Sequence, residues 1–394
     1  MSRRPPLAFI FTVTLTGILN NALITPALPD ILADLGVADE RSGLLVASGS
    51  VAGIVVAPLV GFFADRYGRR VVLTSCLTAF GSFGLMAALS PSFEVLVLSR
   101  LLQGVGSAGL INLAVVLIGD HWSGSERTKI VGRNASILTV GLATIPLVSG
   151  TVTQLAGWRV TLGIYTVALA TAVVSFIVLR DGRPTRRMSP LDQIRGAGEV
   201  IRQPSVAATF AVGFLIFVLI FGLFLTVLPL HLADMFGLDA GARGVMISLP
   251  AVTSTLAAFN LGRIRAVLSV RTIVLIGGAG LACAFFLLGS SRTLVLVAIG
   301  ALCYGACEGS LIPTLQDRAV DASPDDHRGA VMAVWVGAAR LGQTTGPLVA
   351  GVALTTRTPG TTLMGGAAIG ILILLCGVFA PLPRHTQREG SRTQ

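Results

Sequence analysis

Twelve stretches of this chain are almost continuously apolar, separated by short polar segments. They fall at roughly 7–28, 42–63, 71–89, 94–118, 130–155, 158–179, 205–228, 243–262, 272–290, 293–315, 330–353 and 360–381. A helix rising 1.5 Å per residue crosses a hydrocarbon core of ~30 Å in about 20 residues, so each run is of spanning length. A transmembrane β-barrel would instead show alternating segments of about ten residues. These runs are too long and too uniform for that. The pattern predicts an all-α membrane protein of twelve spans. Gly and Pro fall inside many runs, which membrane helices tolerate because neighbouring groups re-satisfy the freed backbone. The first run follows Arg3 and Arg4 but is of full membrane length and lacks a small-x-small exit. It therefore reads as a span rather than a removable leader.

The longest polar interval, 180–204, carries six Arg and separates six runs from six. It predicts a connector at 181–204, helical from Leu191 to Arg202, between a six-helix bundle at 1–180 and another at 205–394. The two halves align on each other. A shift of 201 residues places Gly61 on Gly262, Arg70 on Arg271, Gly104 on Gly305, Asp120 on Asp321 and Arg127 on Arg328. The same shift pairs Gly141 with Gly342, Pro146 with Pro347 and Gly150 with Gly351, giving 11 identities between 104 and 150. A one-residue slip adds Leu28-Pro29 on Leu228-Pro229. Lipid-facing composition inflates matches of Gly, Leu and Val, but not of Asp, Arg and Pro together. Repeated halves are the build of secondary transporters, which rock one half against the other around a midplane site.

Composition agrees. The 394 residues are 53% hydrophobic and 12% charged, against about 25% charged in soluble domains. The net charge of +10 does not imply nucleic acid, because most Lys and Arg fall in alternate loops. That asymmetry places both termini in the cytoplasm of a multi-pass inner (plasma) membrane protein. The five Cys (Cys76, Cys283, Cys303, Cys307, Cys376) all fall within apolar runs, so they form no disulfide framework. Cys303 and Cys307 are one turn apart but have no His or acidic partner to complete a metal site. There is no G-x-x-x-x-G-K-[ST] sequence, and the four His are scattered through loops and the tail. ATP-driven pumping, enzymatic chemistry and a resident cofactor are therefore not expected.

The loop between the second and third runs reads Gly61-Phe62-Phe63-Ala64-Asp65-Arg66-Tyr67-Gly68-Arg69-Arg70. It strongly resembles the signature loop of the major facilitator superfamily, G-x-x-x-D-R-x-G-R-R/K, and the resemblance extends over essentially the whole chain. It implies the major facilitator fold, with two pseudo-symmetric six-helix halves. It also implies a charge relay of Asp65, Arg69 and Asp120 that latches the halves in the outward-open state, with Gly61, Arg66, Gly68 and Arg70 completing the loop. In the second half Ala266 stands where Asp65 would be, so the latch there is expected to be degraded.

The run 99–109 holds Arg100, Gln103 and Gly104 and resembles the family's fourth-span motif, where the Arg is tied to proton coupling. Arg100 lies about six residues, roughly 9 Å, from the nearer end. Burying an Arg costs at least ~2.5–3.5 kcal/mol on insertion scales, so it should face a partner rather than lipid. Asn20 and Asn21 in the first run lie at similar depth and can bond its guanidinium, although neither carries a proton. The clearest titratable group within a run is Glu308. An acid at membrane depth marks an ion or substrate pathway, and Arg340 in the eleventh run is its candidate counter-ion. Asn20, Asn21, Gln103, Asn112 and Glu308 are the polar groups expected to line the cavity. Gly141, Pro146 and Gly150 in the fifth run, with Gly346 and Pro347 in the eleventh, approximate the Gly-Pro motif of the family's exporters. Their physical content would be a helix kink.

The resemblance to bacterial twelve-span drug:proton antiporters implies efflux of a small amphipathic molecule, driven by the proton gradient, by a monomer in the bilayer. The alternative on the same fold is a proton symporter that takes up a small nutrient or metabolite.

Overall fold

The computed structural model describes residues 4–179, 204–321 and 328–379. The connector, including its expected helix, lies outside the described residues. The described chain is all helix and traces twelve crossings. Span 1 is Leu7–Ala22 continued by Leu28–Asp34, span 2 Ser42–Tyr67, span 3 Arg69–Ala88 and span 4 Phe93–Ser107 with Leu110–His121. Span 5 is Gly124–Ala156, and span 6 runs from Trp158 to Val178. In the second half span 7 runs from Pro204 to Phe236 and span 8 from Ala240 to Val267. Span 9 is Val270–Ser290, span 10 Leu294–Asp321, span 11 Arg328–Leu354 and span 12 Pro359–Phe379.

Ten of these crossings meet membrane length and apolarity unaided; span 1 is divided, with a longest helix of 16 residues. Several helices run past their apolar runs, as span 5 does by starting at Gly124. Large apolar side chains stand exposed around the bundle, among them Leu155, Ile177, Phe259 and Phe379, and lipid is the solvent that suits them.

The ends of the spans follow from local chemistry. Gly68 joins spans 2 and 3 at φ 93° and Gly157 joins spans 5 and 6 at φ 84°, in a region that L side chains avoid. Ser92, Asp239 and Ser269 cap the starts of spans 4, 8 and 9 with side-chain oxygens on the free N–H groups. Three irregularities were not legible as straight apolar runs. Span 1 breaks over 23–27, between its two helices and beside Pro26 and Pro29. Span 4 breaks at Ala108-Gly109. Span 7 opens into a nine-residue π-helix, Leu219–Val227, where the Thr226 hydroxyl bonds the Phe221 carbonyl at 2.6 Å. Under the one-residue slip, that segment matches the break in span 1.

The first span enters from the face that also carries the end of span 12, called here the terminal face; the opposite face is the far face. The halves meet at the far face through two backbone contacts. In one, Gly43 of span 2 lies on the Pro347 carbonyl and Gly351 of span 11. In the other, Gly244 of span 8 lies on the Pro146 carbonyl and Gly150 of span 5. The 201-residue shift turns one contact into the other, since it carries Gly43 to Gly244, Pro146 to Pro347 and Gly150 to Gly351. Near the terminal end of span 2, by contrast, a Cβ on Gly61 would meet nothing within 4 Å.

These glycines serve close approach. The helices continue through Pro146 and Pro347, and the glycines of the expected kink motif also form contact surfaces. A Cβ at Gly150 would strike the Ala240 carbonyl, and one at Gly141 would lie 2.8 Å from Leu15. Gly346 is pressed on span 7, where its Cβ would stand 2.8 Å from the Val218 carbonyl. Gly150→Leu should therefore hold the far face apart. Amide exchange over 238–245 is expected to rise about tenfold, because the closed contact protects that segment. Unchanged exchange would show that the contact bears no closing force.

Candidate functional site: a charged axis through the helix interruptions

The signature loop assembles as an ion cluster at the terminal face. Arg69 Nη1 donates to Asp65 at 2.5 Å and Nε to Asp120 at 3.0 Å, joining spans 2, 3 and 4. Gly68 supplies the turn between Asp65 and Arg69. Arg66 lies over the Tyr67 ring at 5.7 Å, and Arg70 over the lipid-side Phe176 at 3.9 Å. The Asp65–Arg69 and Arg69–Asp120 bonds both lie within the first half. The second half does lack the acid at Ala266, yet its link is not lost. Arg265 of span 8 bonds Asp317 of span 10 at 2.5 Å, a direct tie between the spans equivalent to the two that Arg69 bridges from span 3. One-to-one alignment hides this, because neither residue stands at a position equivalent to its counterpart.

Arg100 is fully buried. Its Nη1 donates to the Asn20 side chain (3.1 Å), Gln103 (2.6 Å) and the Tyr165 hydroxyl (3.2 Å). Its Nη2 donates to the Asn20 carbonyl (2.6 Å) and the Asn21 side chain (3.0 Å). Asn20 and Asn21 in turn donate to the Gly49 carbonyl and Ser50 of span 2. Spans 1, 2, 4 and 6 are thus tied by one guanidinium, and all its acceptors are neutral. The Asn20 carbonyl belongs to the last turn of Leu7–Ala22, where backbone acceptors lack helical donors and a cation is favoured. Gly49 and Gly84 make room, since a Cβ at either would run into Arg100 or Tyr165. Tyr165 was missed from sequence; a lone Tyr in an apolar run gave no signal.

Asn20, Asn21 and Gln103 are therefore spent on Arg100 and are 6%, 8% and 0% exposed. This corrects the expectation that they line an open cavity. Asn112 is exposed on Leu110–His121, apart from that network.

Glu308 sits in the middle of span 10. Gly305 and Gly309 on either side bring in span 8, with the Pro250 carbonyl and Ser254 directly against them. The carboxyl group is turned onto the Tyr304 hydroxyl, one helical turn away. Tyr304 stacks on Phe224 of the π-helix at 4.4 Å and meets Phe285 edge-on at 5.7 Å. Arg340 is not the counter-ion of Glu308. It donates to Gln343 at 3.2 Å and, across the halves, to the Ala108 carbonyl at 3.4 Å. Ala108 lies at the interruption of span 4, so Arg340 occupies the C-terminal end of Phe93–Ser107, where a cation is favoured.

Two helical halves, closed on each other at one face with ionisable groups at mid-depth, are the architecture that secondary transporters share. The chain belongs to the Major Facilitator Superfamily, whose model matches residues 10–264 and 210–394. It is a multi-pass helical membrane protein of that superfamily. It is 31% identical over 126 residues to the bacillibactin exporter of Bacillus subtilis, covering 31% of each chain. It is 23% identical over 254 residues to multidrug resistance protein 1 of the same organism, covering 62% of this chain and 64% of that one. These alignments thus span from about a third to just under two thirds of the relatives' own length. A bacterial homologue of the human lysosomal transporter Spinster superposes with a TM-score of 0.76 at 15% identity over 95% of both chains, which shows the fold.

Proposed function

We propose that this protein exports a small amphipathic molecule in exchange for protons by alternating access. The observation that carries the reading is Glu308, a mid-depth carboxyl group paired with a hydroxyl and, among the described residues, with no cation bonded to it. A group so placed can take a proton or a positively charged substrate without first breaking an ion pair. Relatives named as a bacillibactin exporter and a multidrug resistance protein support export. The basic residues gathered at the terminal face support a cytoplasmic placement of that face and of both termini. The far-face contacts then close this conformation on the outer side, and the charge relay of Asp65, Arg69 and Asp120 is the fastening of the opposite, outward-open state. Plasma-membrane location, proton coupling and action as a monomer belong to the same proposal.

Uptake on the same fold is the reading this must displace. The deciding measurement uses cells that overproduce the protein, screened against varied toxic compounds, with the protected compounds then followed in inside-out vesicles. Export predicts ATP-independent accumulation in those vesicles under an acidic-inside gradient, collapsing on addition of a protonophore. Accumulation by whole cells with no protection against any compound would sink the exporter reading.

A further inference from the structure

Among the described residues, the ion pairs join groups of the same half, with one exception. Arg243 of span 8 bonds Asp30 of span 1. The Arg243 side chain is 4% exposed, and every nitrogen of its guanidinium is engaged. Nε donates to the Pro26 carbonyl at 3.0 Å, Nη1 to the Leu238 carbonyl at 2.9 Å, and Nη2 to the Asp30 carboxylate. Pro26 lies in the turn that divides span 1, and Asp30 lies in the first turn of Leu28–Asp34. A second cross-half bond supports the first. Asp239, which caps the helix bearing Arg243 through Ala242 N at 2.8 Å, also accepts from Gln154 of span 5 at 2.8 Å.

This charge is dry only while the far face is closed. Separating the halves there would return Arg243 and Asp30 to water, where such a pair contributes little. Closing replaces that water with three oriented acceptors, two of them in the other half, and charge-assisted bonds of this kind are the strong ones. The arrangement is also one-sided. The 201-residue shift places Ser42, buried and uncharged, opposite Arg243. Among the described residues, the Gly43–Gly351 contact beside Ser42 therefore has no ion pair across it.

We propose that Arg243 is the latch of the far face: it clamps the divided segment of span 1 to span 8 and must release before that face can open. It holds the conformation opposite to the one assigned to the signature loop, so each end of the protein has its own charged fastening. The assignment rests on the alternating-access reading, and its test needs neither cargo nor gradient.

Spin labels at Leu155→Cys and Met235→Cys, both at exposed far-face positions, would report the separation of the halves by double electron–electron resonance. The protein would be held in nanodiscs with its five native cysteines replaced. Arg243→Gln is expected to raise the ratio of long to short distances about tenfold over the parent. Asp30→Asn, which leaves both carbonyl bonds in place, should give a smaller shift in the same direction and serves if Arg243→Gln fails to fold. Distance distributions unchanged from the parent in the folded variants overturn the latch. Failure of the transport reading would look different: the distances respond as expected, yet the parent protein moves no compound.

Discussion

Glu308→Gln is expected to reduce gradient-driven transport below a tenth of the parent rate, with insertion and folding intact. The amide keeps the volume of the acid and can still bond the Tyr304 hydroxyl, so the close approach of spans 8 and 10 around Gly305 and Gly309 survives. What is lost is the capacity to bind and release a proton or to pair with a cationic substrate. Losses of that size are typical of removing a proton-transfer group, which contributes about 10²–10⁴-fold in enzymes. The measurement is flux in proteoliposomes under an imposed pH gradient, beside exchange of labelled for unlabelled substrate with no gradient. Exchange that survives while net flux vanishes assigns Glu308 to the proton. Loss of both assigns it to the substrate. Full flux in the variant refutes both. Arg340 gives a control that follows from the geometry: because it caps the break in span 4 and does not neutralise Glu308, Arg340→Gln should not reproduce the Glu308→Gln phenotype. Matching phenotypes would revive the pair suggested by their separation in sequence.

The fold was legible because the membrane simplifies its code. A helix that must cross hydrocarbon shows as an apolar run, and all twelve runs correspond to crossings. The repeat was legible where it fell on Pro, Asp and Arg together, residues that lipid-facing composition does not supply by chance. The ion cluster of the signature loop was legible through the family resemblance, which assigns Asp65, Arg69 and Asp120 to one relay.

Partner choice in the interior was harder to read. Arg340 and Glu308 looked complementary because both are charged and in adjacent spans, but helix direction and the break at Ala108 decide otherwise. Those breaks are the missing term. Arg100 donates to the Asn20 carbonyl, Arg243 to Pro26 and Arg340 to Ala108. Each is a buried or half-buried cation on a backbone acceptor at or beside an interruption in span 1 or span 4. Such carbonyls lack helical donors, and the end of the helix carries partial negative charge. The repulsion between lipid and an arginine is thereby met without a carboxylate. A search for acids opposite each Arg cannot find such partners. A search for Pro- and Gly-rich interruptions at matching depth could have, and Pro26, Pro29 and Gly109 were in plain view.

The largest expected effect on stability belongs to Arg100. Arg100→Leu removes the donor to five acceptor groups on spans 1, 4 and 6 and leaves them facing a hydrocarbon side chain. Each buried polar group left unpaired costs ~1–3 kcal/mol, but the side chains of Asn20, Asn21 and Gln103 can rotate towards one another and recover part of that. A net loss of about 3–5 kcal/mol, the size seen when one partner of a buried charged network is deleted, is therefore the expectation. In a chain of this length that corresponds to a fall of about 4–6 °C in apparent Tm, read in detergent by intrinsic fluorescence. Arg100→Lys keeps the charge, but its three donors cannot reach all five acceptors, so it should fall in between. Tyr165→Phe removes one acceptor and one donor and should cost about 1 kcal/mol. That ordering separates two roles for the residue. If Tm and transport fall together along the series, Arg100 acts as the frame that lets spans 1, 2, 4 and 6 move as one body. If Arg100→Lys keeps its Tm and still loses gradient-driven flux, the guanidinium itself takes part in coupling, although every group it bonds in this conformation is neutral.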